Sequence, residues 1–490
     1  MGKAVASQAS VEQRDGAFQL ETEGTGVIAE SRRHGVPREL FFVWFAAVLT
    51  YTGVVTGQLF TAMGLNVWES LLVAVLCSLS FAALGYASST GPRGGTVTLT
   101  ISKAAFGVRG ARVTAFFSWI TAVGWESVTM VLTVLALLSL AQFAGLPSSG
   151  AGPTAIAIVI TLLLTYSVPF LGHATLVTMQ RWLSFLLGIC VLLVVVAILP
   201  HVNWSFAPPV KDMWAQGPVW TTLFALSIGL ATTFYGWVNF SADYSRYLPT
   251  KTPTKKIVGV TFASGGIASF VMMGGGILLG TFINGNAFLA NPVMAIAKAV
   301  PTWAAVPFLI AVVVGDITAN YLNAYSSGMS FLSMGIKINR YWAVVIDGAI
   351  CTVLAIYFLA TDFVSKFQNF LDLMIVFIGP WAAIYLIHHR LVGGKYDAAG
   401  LAEDGPSSSY WYTNGVNWRA MIAWFIGVVA TALTVNSSIA QLNKYTLSTV
   451  VFGGADLTAF TAPIVTGIVY FLIAGRPQRA GAAFAKPVQE

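Results

Sequence analysis

Three short polar islands interrupt otherwise apolar stretches of this 490-residue chain, and their residue types suit binding better than bond-breaking. The first is Ser227–Pro249, SIGLATTFYGWVNFSADYSRYLP. Gly229 and Gly236 weaken a helix there, Thr232, Thr233 and Asn239 bring hydrogen-bonding groups, and Phe234, Tyr235 and Trp237 bring flat aromatic faces. The second is Ala122–Thr129, AVGWESVT, where Trp125 and Thr129 are four apart and share one helical face. The third is Val314–Ser327, where Asn320 and Asn323 lie near one face, roughly in line with Asp316 and Ser327. Each amide side chain offers two donors and an acceptor. Aromatic faces and amide edges together suit a small planar solute.

Each island has a plainer reading beside the functional one. An indole in mid-membrane often serves packing, and paired asparagines often bond one helix to the next. Gly124 would let another backbone approach. Glu126 is different, because an ionisable residue inside a bilayer is costly and functional by default. It lies about 100° round the helix from Trp125, so it need not face the same pocket. Structural hydrogen bonding and proton or substrate coupling both remain open for it. Asp347 and Asp372 read as structural pairing or gating groups, and Asp243 with Arg246 as an anchor or inner gate.

The elements that hold these islands are membrane helices. The chain is 56% hydrophobic and 9% charged, against about 25% charged in soluble domains. A span needs about 20 apolar residues, and twelve stretches qualify. They fall near 41–63, 69–89, 113–143, 153–170, 177–199 and 217–240, then 257–283, 303–333, 341–360, 367–388, 418–435 and 457–474. The third and eighth are long enough to tilt or project.

Loop charge sets the orientation. Arg32, Arg33 and Arg38, then Arg93, Lys103, Arg109 and Arg112, share a side with Arg181. Later loops on that side add Arg246, Lys251, Lys255, Lys256, Lys337, Arg340, Arg390, Lys395, Arg419, Arg476 and Arg479. The other side has Lys211, Lys298, Lys366 and Lys444. Both termini are therefore expected in the cytoplasm and the protein in the plasma (inner) membrane. Residues 1–30 lack the apolar core of a cleavable signal.

Other chemistries find no support. The net charge of +7 is spread over short loops rather than gathered on a basic face, which argues against nucleic acid. Cys77, Cys190 and Cys351 lie far apart in apolar stretches, and the five histidines form no ligand pattern. There is no phosphate-binding loop, zinc-protease motif or nucleophile elbow. The chain is expected to be neither an enzyme nor driven by ATP, and to need no cofactor.

The Gly/Ser-rich stretch Gly393–Gly415 separates ten spans from a final pair. Ten helices suit two inverted five-helix repeats, with broken helices at corresponding positions. The first span carries Thr50, Tyr51, Thr52, Gly53, Thr56 and Gly57 and matches the irregular sixth. The expected organisation is a tail at 1–35, repeats at 36–200 and 215–390, and a linker at 391–417. Accessory helices follow at 418–475 and a tail at 476–490.

Over about residues 30–475 the sequence resembles the nucleobase–cation symporter family, in its purine–cytosine permease branch. Phe106-Gly-Val-Arg-Gly110, Gly124-Trp125, Ala242-Asp-Tyr-Ser-Arg-Tyr247 and Asn320-Tyr-Leu-Asn-Ala-Tyr-Ser326 carry the resemblance, in the right order and topology. It implies an all-α polytopic membrane protein with the leucine-transporter-type 5+5 inverted repeat plus two accessory helices. It also implies a secondary symporter that imports cytosine or purines with Na⁺ or H⁺ by alternating access. Trp125 then looks like the ring that stacks on the substrate, and Thr129 stands where relatives place an amide. Thr233 and Phe234 correspond to the unwound part of span six, Trp237 to a second stacking ring and Thr50 to a pocket-lining amide. Asn320 and Asn323 look like readers of the base edge. Ala46, Leu49, Gly315 and Thr318 match cation ligands, Ala319 replaces a second hydroxyl, and Asp316 or Glu126 could carry a proton instead. Allantoin, hydantoin, uracil, thiamine or pyridoxine on the same scaffold is the alternative cargo. A channel would need a charged ring or carbonyl filter, and neither it nor a sensor is favoured.

Overall fold

The computed structural model describes residues 18, 24–283, 285–361, 363–437 and 443–474. The parts of the expected tails at 1–17, 19–23 and 476–490, with Arg476 and Arg479, lie outside the described residues, as does residue 475. The described chain is helical, apart from an isolated bridge between Thr413 and Val416.

The first span is two helices, α1 (Pro37–Val48) and α2 (Tyr51–Ala62), bent by 56°. At the break Thr50 is extended, with φ −109° and ψ 154°, so it cannot continue the α-helical bond ladder. The second span, α3 (Val67–Ser88), starts on a capping box. Asn66 Oδ1 accepts from the N–H groups of Trp68 and Glu69, and Glu69 Oε2 accepts from Asn66 N–H. Such a cap contributes about 1 kcal/mol.

Next come α4 (Val108–Phe143), α5 (Ala151–Leu171) and α6 (His173–Ile198). The 36 residues of α4 extend about 54 Å, well beyond a bilayer core of about 30 Å. The sixth span opens as α7 (Gly217–Leu230) and then widens into a π turn at Ala231–Tyr235, where Gly236 N–H donates to Ala231 O five residues back. A 3₁₀ turn at Val238–Phe240 follows. Single π turns of this kind concentrate at functional sites. The seventh span, α8 (Thr254–Gly280), has its own π turn at Phe262–Gly266. Then follow α9 (Thr302–Ser333), α10 (Arg340–Leu359), α11 (Phe363–Leu391), α12 (Trp418–Ala432) and α13 (Thr458–Ile473).

Among the described residues nine helices are long and apolar enough to cross a membrane, or ten with the bent pair taken as one. The last two expected spans, α12 and α13, have 15 and 16 residues, fewer than the crossing length. Helices α4 and α9 run side by side through the centre and are mostly buried. The outer helices turn apolar groups such as Leu163, Trp182 and Leu192 outward, as lipid contact requires.

The stretch at 393–415 is a folded cap rather than a loose connection. It holds the short helix Ala398–Ala402. Lys103 Nζ bonds Asp404 at 2.7 Å, Tyr412 OH donates to Ala104 O at 2.6 Å, and Arg109 N–H donates to Gly415 O at 2.7 Å. The Phe106–Gly110 motif is thus the docking edge for this cap. At the same end, residues 24–35 lie across the molecule. Ile28 N–H donates to Gly95 O, and Arg33 donates to Pro92 O and Thr250 Oγ1.

Candidate functional site

The irregular parts of the first and sixth spans meet α4 and α9 around a cavity. It is lined by Ala47, Val48, Thr50, Thr52, Gly53, Phe81, Trp125, Thr129, Thr232, Thr233, Trp237, Ser269, Met273, Ala319 and Asn323. The space between these residues, with its open mouth included, is about 490 Å³. Six of the expected substrate residues are in this wall: Thr50, Trp125, Thr129, Thr233, Trp237 and Asn323.

The indole of Trp125 is set from two sides. Phe370 meets it edge-on with centroids 5.3 Å apart, and Phe367 does so at 6.2 Å. On the other side lies Gly236, where a Cβ would come within 3.0 Å of Trp125 Cζ2. The glycine in the loosened part of span six therefore makes room for the ring. Gly124 was expected to admit another backbone, but the Phe370 ring fills that space, because α11 reaches α4 through an aromatic side chain. Trp237 is held edge-on to Trp44 at 5.6 Å.

The polar wall has a fixed polarity. Thr129 Oγ1 donates to Asn320 Oδ1 at 2.5 Å, and Asn323 Nδ2 donates to the same oxygen at 3.2 Å. Asn320 Nδ2 donates to Glu126 O at 3.3 Å. A backbone carbonyl only accepts, so the Asn320 amide cannot reverse without setting two oxygens against each other. Asn323 Oδ1, buried beside the cavity, has no hydrogen-bond partner among the described residues. A wall residue consequently carries an unpartnered, enclosed acceptor. Thr50 and Thr52 pair their hydroxyls at 2.6 Å, and Thr233 Oγ1 donates to Gly229 O while accepting from Ser80.

Two expected readers are not in the wall. Asn320 stands one layer behind, with its amide taken up as above. Phe234 turns from the cavity and lies edge-on to Tyr235 at 5.1 Å, because the π turn rotates successive side chains. Phe81, Ser269 and Met273, from α3 and α8, join the wall without having been singled out by sequence. The Gly265-Gly266 pair one turn before Ser269 was the available signal of close packing there.

The four expected cation ligands sit beside the break in the first span. A Cβ on Gly315 would run into Leu49 O, so α9 approaches the break backbone to backbone. Thr318 Oγ1 donates to Val314 O at 2.9 Å and Gly315 O at 2.7 Å, and Gln180 Nε2 donates to Thr318 O. Ala46 lies in the last turn of α1 and is buried. Asp316 Oδ1 accepts from Tyr51 N–H at 3.1 Å, capping α2 from across the interface. A carboxylate there complements the positive end of the half-helix. Glu126 turns its carboxylate away from the cavity, where Tyr166 OH donates to Oε2 at 2.6 Å.

Asp243 and Arg246 hold the far end of span six. Asp243 Oδ1 accepts from Thr98 N–H and Oγ1, both at 2.8 Å. Arg246 donates to Gly24 O at 2.7 Å and Tyr325 OH at 2.9 Å. The Ala242–Tyr247 motif is therefore an anchor away from the cavity.

A family model described as permease for cytosine/purines, uracil, thiamine and allantoin matches residues 27–460. The chain belongs to that family. It is a nucleobase–cation symporter family member of the purine–cytosine branch. The Bacillus subtilis putative purine-cytosine permease YxlA is 28% identical over 479 residues, covering 93% of this chain and 96% of that one. The Arabidopsis thaliana purine-uracil permease is 21% identical over 466 residues, covering 90% of this chain and 76% of its own. Mhp1, a nucleobase-cation-symport-1 family transporter in a closed conformation with bromovinylhydantoin bound, aligns with a TM-score of 0.71 at 18% identity. That match covers 93% of this chain and 95% of Mhp1. A Na⁺-coupled sialic acid symporter aligns at 0.57 and 11% identity. The fold is accordingly the leucine-transporter-type inverted repeat, with its two broken helices facing each other. This permease-family chain is a multi-pass membrane transporter protein rather than an enzyme.

Proposed function

We propose that this permease is a secondary active symporter that imports a nucleobase, cytosine or a purine, together with a cation. The observation that carries this reading is the buried, unpartnered Oδ1 of Asn323, a residue that lines the cavity together with Trp125 and Trp237. A planar base lies between the rings, and its ring N–H or exocyclic amine donates to Asn323. Thr129 and Asn320 act as positioning groups that keep this acceptor in place. A solute lacking the donor leaves a buried polar group unpaired, which discriminates strongly.

The cation adjoins the break in the first span. The carbonyls of Ala46, Leu49 and Gly315 and the Thr318 hydroxyl would hold Na⁺, and the neighbouring Asp316 supplies negative charge. Both Na⁺ and H⁺ fit this reading of the coupling. Alternating access would have the broken spans one and six and their packing partners α3 and α8 rock against α4, α5, α9 and α10. Both termini face the cytoplasm of the plasma (inner) membrane, with repeats at 36–200 and 215–390. A cap at 391–417 and accessory helices at 418–475 complete the chain.

The test is uptake into proteoliposomes of a labelled panel of cytosine, adenine, hypoxanthine, guanine, uracil, allantoin and thiamine. Na⁺ and proton gradients are imposed separately. Concentrative uptake of cytosine or a purine supports the reading. Accumulation of only allantoin or thiamine would replace the cargo, and equilibration without accumulation would replace symport by a channel.

A further inference from the structure

Behind Asn320, on the face of α4 opposite the cavity, two carboxylates line a dry seam between α4, α5, α9 and α10. Glu126 is 1% exposed and Asp347 is 0% exposed. Trp119 Nε1 donates to Asp347 Oδ1 at 2.6 Å, and Ser327 Oγ donates to Oδ2 at 2.8 Å. Asp347 and Cys351 are four residues apart on α10 and so share a face. Glu126 Oε2 accepts from Tyr166 OH and has the Cys351 thiol at 3.7 Å. Its Oε1, fully enclosed, has no partner among the described residues.

The groups facing the pair are Tyr166 of α5, Ser327 and Asn320 of α9, and Cys351 of α10. The face of α11 toward α4 is aromatic, through Phe367 and Phe370. Lys298, on the neighbouring segment Pro292–Ala299, is exposed, and Arg112 lies at the far end of α4 against Gly335. Among the described residues no cation acts on either carboxylate. Two unneutralised charges cannot both persist in so dry a seam. The donors are unequal: Asp347 has two on two oxygens, whereas Glu126 has an orphan oxygen.

We infer that Glu126 and Asp347 are a proton-binding pair that holds one proton on Glu126 Oε1, and that losing it weakens the substrate site. This deepens the symport reading above and rests on it for its transport consequence. The proton comes from solvent, the O–H bond forms on Glu126, and Asp347 remains the anion. The link to the cavity is direct. Glu126 O is the acceptor that orients Asn320, and Ser327 lies two turns further along the same helix. Deprotonation sets two like charges against each other across α9, so uptake falls as pH rises.

The test is an infrared titration of the purified full chain in phosphatidylethanolamine–phosphatidylglycerol vesicles, without substrate. The wild type should show a protonated-carboxyl band that fades with rising pH, and Glu126→Gln should remove it. Tyr166→Phe removes a donor to the charged form and should move the midpoint up by about one to two pH units. Asp347→Asn removes the like charge and should move it down. If Glu126→Gln does not fold, the opposed shifts of the other two variants decide. Midpoints unmoved in both would overturn the pair. A shifted band in Tyr166→Phe without an equal shift in the pH profile of uptake would overturn its link to the substrate site. A wild type that shows the band but accumulates no tested solute would fault the symport reading and leave the pair standing.

Discussion

Thr129 Oγ1 and Asn320 Oδ1 meet at 2.5 Å across the α4–α9 interface, and with the Glu126 carbonyl on the Asn320 amide nitrogen this contact leaves the Asn323 oxygen without a partner. The Asn320 oxygen collects both Thr129 and Asn323 Nδ2, so Asn323 is left with its own oxygen unpartnered among the described residues. Where an amide would offer either edge, this pair of residues offers an acceptor. Replacing Thr129 by Val removes that donor and should raise the half-saturating substrate concentration roughly tenfold to a hundredfold. Uptake kinetics at matched surface expression check this.

Gly236 tests the stacking geometry. A Cβ there would come within 3.0 Å of Trp125 Cζ2 and 3.1 Å of Ala231 O. Gly236→Ala should therefore lower uptake severalfold and Gly236→Val should abolish it, while thermal stability falls by about 1–3 kcal/mol. Uptake together with a detergent melting curve separates the two effects.

Much of the fold was legible because membrane helices announce themselves by length and by loop charge. The break at Thr50 was legible too, from the Thr/Gly cluster, and the wall positions of Trp125, Thr129 and Asn323 from helical spacing. The layering was not. Asn320 and Asn323 share a face three residues apart, yet only tertiary contacts from Thr129 and Glu126 O decide which one reaches the cavity. Phe234 escaped for a related reason, since a π turn breaks the 100° step on which such reasoning relies. Ser269 and Met273 come from a span whose sequence looks like ordinary apolar helix. The stretch at 393–415 reads as a flexible connection by composition, but Lys103, Arg109 and Ala104 give it a surface to fold on.

Asp316 ties α9 to the start of α2 through Tyr51 N–H at 3.1 Å. Asp316→Ala should cost about 1–2 kcal/mol of stability through the lost cap and abolish cation-stimulated uptake. Gly315→Ala should also impair uptake, because its Cβ meets Leu49 O. Melting curves and uptake with each gradient imposed alone provide the measurement.

The segment at 24–35 carries a pH-dependent fastening. Glu30 accepts from Thr250 Oγ1 at 2.5 Å and lies 3.2 Å from Arg33, and the Thr250 hydroxyl holds its carboxyl below the ordinary glutamate range. A carboxyl whose pKa is lower when docked favours docking above its undocked value, and that contribution is lost as pH falls through the docked one. Hydrogen-exchange protection in residues 24–33, taken relative to the unstructured chain at the same pH, should therefore be high at neutral pH and fall below the ordinary glutamate range. Glu30→Gln should exchange fast across the whole range. Equal protection in the variant at neutral pH would contradict this fastening.

The most direct measurement is concentrative uptake of labelled nucleobases into proteoliposomes by the wild type, Trp125→Ala, Asn320→Ala and Asn323→Ala. The account predicts accumulation of cytosine or a purine by the wild type and its loss in all three variants, each inserted at the wild-type level. Undiminished uptake of every tested base by Trp125→Ala or Asn323→Ala would contradict the assignment of the cavity as the substrate site.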